Sequence, residues 1–258
     1  MRTAKYLIGD NKVELYGYIH EDQAKLEGCY GKRPCIIVCP GGAYKLLSPR
    51  EEDPVVFPLF SHGYNVFVLK YSIGEQIKAS WPEAEAAMAI RAIREDSGKL
   101  NTDPDSIFIM GFSAGGHVAA SIACHWKRYG ELSKPNAAVL CYPVLTMGKN
   151  GHAESTMYLT GGDERLKAYY SLETQVDDDT SPCFIWHTIT DASVPYRPSV
   201  EFSLALEEHG VECELHLYAR GRHGLSTGYG ETGVRERCVQ SWMDLCFTFL
   251  DTLCDFEK

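Results

Sequence analysis

Short, nearly unbroken apolar runs recur along this chain and alternate with helical patterns. The runs are "PCIIVCP", "NVFVLKYS", "SIFIMGFS", "AAVLCYPV" and "PCFIWHTI". A strand that is apolar at every position must be covered on both faces, and helices supply such cover when consecutive strands run parallel. Between the runs lie helix-like segments: "DPVVFPLFSHG", "AGGHVAASIACHW", "SVEFSLALEEHG" and the long amphipathic "PEAEAAMAIRAIRED". In the last, Pro82 suits a first turn, and Ala86, Ile90 and Ile93 mark a buried stripe. Strand "ECELHLYA" and a terminal helix "ETGVRERCVQSWMDLCFTFLDTL" complete the pattern. At the other end, "AKYLI" and "KVELYGYIH" flank a Gly9-Asp10-Asn11 turn and read as an antiparallel hairpin. The expectation is an α/β fold: one mostly parallel central sheet with helices on both faces and an N-terminal antiparallel hairpin. Its 258 residues, with no repeat and no linker, fit a single domain over 1–258. One polar, Gly/Asp-rich stretch at 146–180 breaks the rhythm. It is expected to be an excursion over the active-site face or a plain insertion.

Composition narrows the function classes. A net charge of −10 repels nucleic acid and anionic lipid, which favours neutral or small substrates. No apolar run reaches the roughly 18 residues that span a membrane, and the first residues carry no leader-like apolar segment. The ten cysteines are not spaced as metal-binding pairs, and Cys35, Cys39, Cys141 and Cys183 lie inside apolar runs. They read as reduced, buried thiols of a cytoplasmic protein, with no metal and no cofactor required.

Within "SIFIMGFSAGGH", Gly111-Phe112-Ser113-Ala114-Gly115 stands between a strand and a helix, the context that a G-x-S-x-G nucleophile elbow requires. The turn lifts Ser113 out of the sheet, and the start of the next helix directs its dipole at a developing oxyanion. A nucleophilic serine needs a base, and the base needs an orienting carboxylate. His223, in the glycine-bracketed loop "RGRHGL" after a late strand, is the candidate base. Asp191, in "TITDASVP" after the preceding strand, is the candidate acid. His117, one helical turn after Ser113, reads as packing behind the elbow, and His187 as an inward-packed strand residue. His125, His209 and His216 read as structural. The run Asp177-Asp178-Asp179 lies at the wrong end of its strand and reads as a solvated loop.

Early in the chain, "CPGGAY" follows the first apolar strand. Neither a P-loop nor a dinucleotide glycine pattern is present. Its position after an early strand suits a loop that offers a second backbone N–H to an oxyanion, alongside the N–H after the nucleophile, here Ala114. Tyr44 is expected to help shape the pocket.

These segments together resemble the small acetylesterases and carbohydrate esterases of the α/β-hydrolase superfamily, near the hormone-sensitive-lipase-like branch. The resemblance runs through "PGGAY", "SIFIMGFSAGGHVAA", "SPCFIWHTITDASVP" and "GVECELHLYARGRHGL" and covers most of 34–250. It implies a triad of Ser113, Asp191 and His223 and an oxyanion hole from Gly42, Ala43 and Ala114. It also implies short acyl esters as substrates, commonly acetyl groups on sugars or xylo-oligosaccharides. Where the family has His-Gly-Gly-Gly, this chain has Pro40-Gly41-Gly42-Ala43, which leaves open whether the amide of Gly42, Ala43 or both serves. About 33 residues precede the first core strand, so an open site without a large N-terminal cap is expected. Alternatives are an amidase like kynurenine formamidase, a peptidase like the prolyl oligopeptidases, and a non-catalytic binding module on the same fold. A dienelactone-hydrolase-like reading conflicts with a serine at 113. The expected partner is a small ester substrate; a homo-oligomer is compatible with the sequence.

Overall fold

The structure is a computed structural model that describes residues 1–22, 31–75 and 77–254. Its strands are β1 (Arg2–Ile8), β2 (Val13–Ile19), β3 (Arg33–Cys39), β4 (Asn65–Leu69), β5 (Thr102–Phe112), β6 (Ala137–Cys141), β7 (Cys183–Thr188) and β8 (Cys213–Tyr218). They form one sheet in the order β1-β2-β4-β3-β5-β6-β7-β8. The expected hairpin pairs β1 with β2 antiparallel, and β2 joins β4 antiparallel. From β4 onward every neighbour is parallel.

The helices are α1 (Asp53–His62), α2 (Ser80–Glu95), α3 (Ser97–Leu100), α4 (Ala114–His125), α5 (Ala153–Thr160), α6 (Glu164–Tyr169), α7 (Arg197–Glu208) and α8 (Trp242–Thr252). Two apolar layers explain why the central strands carry no polar face. Cys35, Ile37 and Cys39 of β3 enter one core with Ala86, Ile90 and Ile93 of α2, Val118 of α4 and Phe202 of α7. Ile36 and Val38 enter the other, with Val55 and Leu59 of α1 and Trp242, Cys246 and Phe249 of α8. Each large side chain buried this way contributes roughly 1.5–3 kcal/mol relative to exposure. The described cysteines are free thiols, and most are buried. Among the described residues no helix is long and apolar enough to cross a membrane.

Two segments depart from the sequence expectation or complete it. The terminal helix begins only at Trp242. Residues 231–241, expected to be helical, form turns that are tied to the preceding loop: the Glu236 N–H donates to the Gly228 carbonyl at 3.1 Å, and Gly233 has φ 77°. The polar stretch 146–180 is not a loop throughout; it contains α5 and α6. His152 and Glu154, at the start of α5, border the cavity described next.

Candidate active site

Parallel strands deliver their C-terminal ends to one edge of the sheet, where α/β folds place their sites. The turn 40–46 follows β3, Ser113 follows the neighbouring β5, Asp191 follows β7 and His223 follows β8. Residues as far apart as Gly42 and His223, 181 positions, meet there.

Ser113 occupies the sharp strand-to-helix turn with φ 55° and ψ −116°, a conformation that costs a non-glycine residue about 1–3 kcal/mol. The surroundings enforce it. The Ser113 N–H donates to Cys141 O at 3.0 Å, and Ser113 O accepts from His117 N–H and Val144 N–H. Gly111 is needed because a Cβ there would stand 2.0 Å from Gly115 O, so strand and helix could not approach. The serine is 8 % exposed.

Ser113 Oγ lies 2.8 Å from His223 Nε2, and His223 Nδ1 lies 2.7 Å from Asp191 Oδ2. An ionised carboxylate only accepts, so Nδ1 carries the proton and Nε2 accepts from the serine hydroxyl. The Asp191 side chain is fully shielded, whereas His223 remains 20 % exposed. The second Asp191 oxygen accepts the N–H groups of Ser193 and Val194, both at 2.9 Å. Burial alone would raise the Asp191 carboxyl, but hydrogen bonds from His187 and His223 outweigh it and hold the group below the usual carboxylate range. The loops bearing Asp191 and His223 are joined by the hydroxyls of Thr188 and Thr190, which donate to Gly221 O at 2.9 and 3.0 Å.

His187 is fully buried, as expected of an inward-packed strand residue. Its Nδ1 lies 2.9 Å from Ser199 Oγ, and its Nε2 lies 3.0 Å from Val194 O and 3.4 Å from Asp191 Oδ2. It therefore supports Asp191 from beneath. His117 packs behind the elbow, also as expected. Its Nδ1 pairs with Tyr44 Oη at 2.7 Å and its Nε2 with Tyr170 O at 2.9 Å, and burial pushes its pKa down to about 4.

Tyr44 is a correction to the expected pocket residue. It is fully buried, and its hydroxyl is spent on His117. The physical cause is the turn: Ala43 and Tyr44 both have positive φ, 58° and 63°, which swings the ring into the core. The cavity at Ser113 is about 320 Å³ and is bordered instead by Gly42, Ala43, Arg50, His152, Glu154 and His223, among others. A larger cavity of about 960 Å³ lies between residues 77–80 and α5–α6, but neither Ser113 nor His223 borders it.

Of the three proposed oxyanion donors, Gly42 and Ala43 border the same cavity as Ser113. Ala114 is the first residue of α4, where helix geometry leaves an N–H without an intrahelical acceptor. In the turn, the Gly41 N–H is committed to Glu51 Oε2 at 2.7 Å, while Lys45 and Leu46 donate to Gly42 O. Among the described residues, the amides of Gly42 and Ala43 have no such commitment. Gly42 has φ 133°, and a Cβ on it would stand 2.1 Å from Leu46 O, so only glycine closes this turn.

Two site residues carried no usable sequence signal. His152 sits ahead of α5, where its Nδ1 accepts the Ser155 N–H and its neutral form is favoured by burial and by nearby His223. Glu51 is 2 % exposed within a charged run, and nothing in "SPREED" separates it from Glu52. Among the described residues no cluster of three or more His, Cys, Asp or Glu is placed to hold a metal ion.

The family model described as BD-FAE, an α/β-hydrolase esterase family, matches residues 27–206. Endo-1,4-β-xylanase B of Butyrivibrio fibrisolvens is 36% identical over 231 residues, 84% of this chain and 35% of that protein. The acetylxylan esterase of Xylanibacter ruminicola is 30% identical over 230 residues, 86% of this chain and 45% of that protein. This chain thus spans less than half the length of these curated relatives. Among solved structures, an acetyl ester-xyloside bifunctional hydrolase from Caldicellulosiruptor lactoaceticus superposes with a TM-score of 0.84 at 35% identity. That match covers 95% of this chain and 89% of the other.

Proposed function

Because the chain belongs to the BD-FAE family of α/β-hydrolase esterases, we propose that it is a serine esterase that removes short acyl groups, acetyl above all, from sugars or xylo-oligosaccharides. The observation that carries this reading is the continuous hydrogen-bonded path Ser113–His223–Asp191, at 2.8 and 2.7 Å. As the Ser113 hydroxyl attacks the ester carbonyl, its proton passes to His223 Nε2, while Asp191 fixes the tautomer and stabilises the imidazolium. The amides of Gly42 or Ala43, with that of Ala114, receive the oxyanion. Each such donor is worth about 3–4 kcal/mol of barrier. His223 then protonates the departing alkoxide, and water, deprotonated in turn by His223, hydrolyses the acyl-enzyme.

Two further features support the substrate class. A cavity of about 320 Å³ is at the small end of ligand sites, which suits a short acyl group. Its border includes Lys45, His152, Glu154 and Ser193, hydrogen-bonding groups that suit a hydroxylated leaving group. The names of the relatives, acetylxylan esterase and acetyl ester-xyloside hydrolase, agree with that choice.

The test is turnover of p-nitrophenyl acetate and acetylated xylose by wild type and Ser113→Ala, with an aryl formamide and a prolyl peptide as comparison substrates. The esterase reading expects both esters to be cleaved far faster than the amides, and the variant to lose at least a thousandfold. A variant with wild-type rate refutes the serine mechanism, and a faster amide reassigns the substrate.

A further inference from the structure

Glu51 lies between the "PGGAY" turn and α1, in the run Arg50-Glu51-Glu52-Asp53. Arg50 and Asp53 are exposed and Glu52 partly so, whereas Glu51 is buried. Removing a carboxylate from water costs several kcal/mol unless hydrogen bonds replace those it loses. Both oxygens of Glu51 have such partners. Oε2 accepts the Gly41 N–H at 2.7 Å, and Oε1 accepts the Tyr142 hydroxyl at 2.7 Å. Burial still pushes the carboxyl above its ordinary value, while these two bonds pull the other way.

The two partners belong to opposite halves of the site. Gly41 is the residue before Gly42 and Ala43. Tyr142 follows β6, and its hydroxyl oxygen accepts the N–H of Ser226 at 3.0 Å, three residues beyond His223. Its ring meets the His223 ring edge-on with centroids 5.1 Å apart. The Ser226 hydroxyl donates to Arg50 O at 2.6 Å, closing a circuit from residues 50–51 through 142 to 226 and back.

We propose that Glu51 is a positioning residue of the acyl-transfer site: one buried carboxylate holds the oxyanion turn through Gly41 and the His223 loop through Tyr142, in register across Ser113. The proposal rests on the serine-esterase reading above. Its chemistry requires two acceptors on one side chain. The Tyr142 hydroxyl already accepts from Ser226, so its hydrogen must be donated elsewhere, and the Gly41 N–H needs an acceptor as well. Glutamine has the same shape but only one acceptor oxygen, so one of the two arms must fail. The amide of Gly42 or Ala43 is then aimed less well at the transition state, and substrate binding changes little.

The experiment compares wild type, Glu51→Gln and Tyr142→Phe by steady-state turnover of p-nitrophenyl acetate. It also measures the rate at which p-nitrophenyl diethyl phosphate phosphorylates Ser113. In that step the Oγ–P bond forms, p-nitrophenolate leaves and the serine proton passes to His223, so it uses the same donors. Glu51→Gln is expected to lose roughly 10–100-fold in kcat, less than the 10²–10³ of deleting a donor outright. Its KM should stay within threefold, and phosphorylation should slow by the same factor. Tyr142→Phe keeps the Gly41 arm and is expected to lose less. Folded Glu51→Gln and Tyr142→Phe proteins with wild-type kcat and labelling rate overturn the proposal. So does a loss of rate that only tracks the folded fraction measured by circular dichroism. If Ser113 is labelled at equal rates in wild type and Glu51→Gln, the serine reading stands and Glu51 falls. If Ser113 is never labelled and Ser113→Ala stays active, the serine reading itself falls.

Discussion

Replacing Asp191 by asparagine exchanges one oxygen for NH₂, and the neighbours of that side chain dictate which way the new amide faces. One carboxylate oxygen accepts the N–H groups of Ser193 and Val194 at 2.9 Å each. If the NH₂ were placed there, three donors would oppose one another in a buried site, so the remaining oxygen must stay with Ser193 and Val194. The NH₂ is then directed at His223 Nδ1, which stands 2.7 Å from the wild-type oxygen. Because NH₂ donates, His223 must accept at Nδ1 and carry its proton on Nε2. That nitrogen now faces Ser113 Oγ as a donor and cannot take the serine proton. The comparable change in a serine protease triad costs about 10⁴ in kcat, or about 5.4 kcal/mol of barrier at about 1.36 kcal/mol per tenfold. Steady-state hydrolysis of p-nitrophenyl acetate across substrate concentration provides the assay. The expected result is a kcat reduced 10³–10⁴-fold with KM nearly unchanged and a melting temperature close to wild type, because the two backbone bonds persist. An Asp191→Asn enzyme within tenfold of wild-type kcat would refute the tautomer argument.

Two further outcomes concern the layer behind Ser113. Tyr44→Phe removes the hydroxyl that pairs with buried His117 Nδ1 at 2.7 Å and leaves that nitrogen only the longer contact with Ser121 Oγ at 3.4 Å, at a cost of about 1 kcal/mol. Thermal melting should fall by several degrees, with kcat and KM for acetyl esters within threefold of wild type; a large rise in KM would return Tyr44 to the pocket. His117 also predicts a pH dependence. Its pKa is lowered from 6.5 to about 4 in the fold, so the unfolded chain binds the extra proton first as pH drops. Its contribution is fully present above pH 6.5 and is lost as pH falls toward 4, at about 1.4 kcal/mol per unit, or about 3 kcal/mol in all. Urea denaturation between pH 7 and 4.5 should show this decline, and His117→Gln should flatten it; an unchanged slope in the variant contradicts the assignment.

What could be read from residue order was whatever depends on local periodicity and chain neighbours. Apolar runs such as "PCIIVCP" predict strands because every position must be covered, and β3 proves buried along its whole length. Ser113 announces itself because glycines at 111 and 115 mark a turn where strand and helix nearly touch. Asp191 and His223 were legible because each follows a strand of the type that delivers residues to one edge of a parallel sheet. The sequence pattern overextends the terminal helix over residues 231–241, where bonds to the preceding loop, such as Glu236 N–H to Gly228 O, override helix propensity.

Tertiary structure alone decided the rest, because it turns on direction and on contacts between distant segments. The side of the backbone on which Tyr44 falls follows from positive φ at Ala43 and Tyr44, and a sequence does not display dihedrals. Glu51 and Glu52 are adjacent and chemically identical, yet only Glu51 is placed to reach both Gly41 and, 91 residues on, Tyr142. His152 joins the site because α5 folds back over the sheet edge. The sequence by itself determined an α/β sheet and singled out a serine, a histidine and an aspartate as the candidate nucleophile, base and acid. The folded chain determined how those groups are held, since a buried hydrogen bond depends on where both partners come to rest.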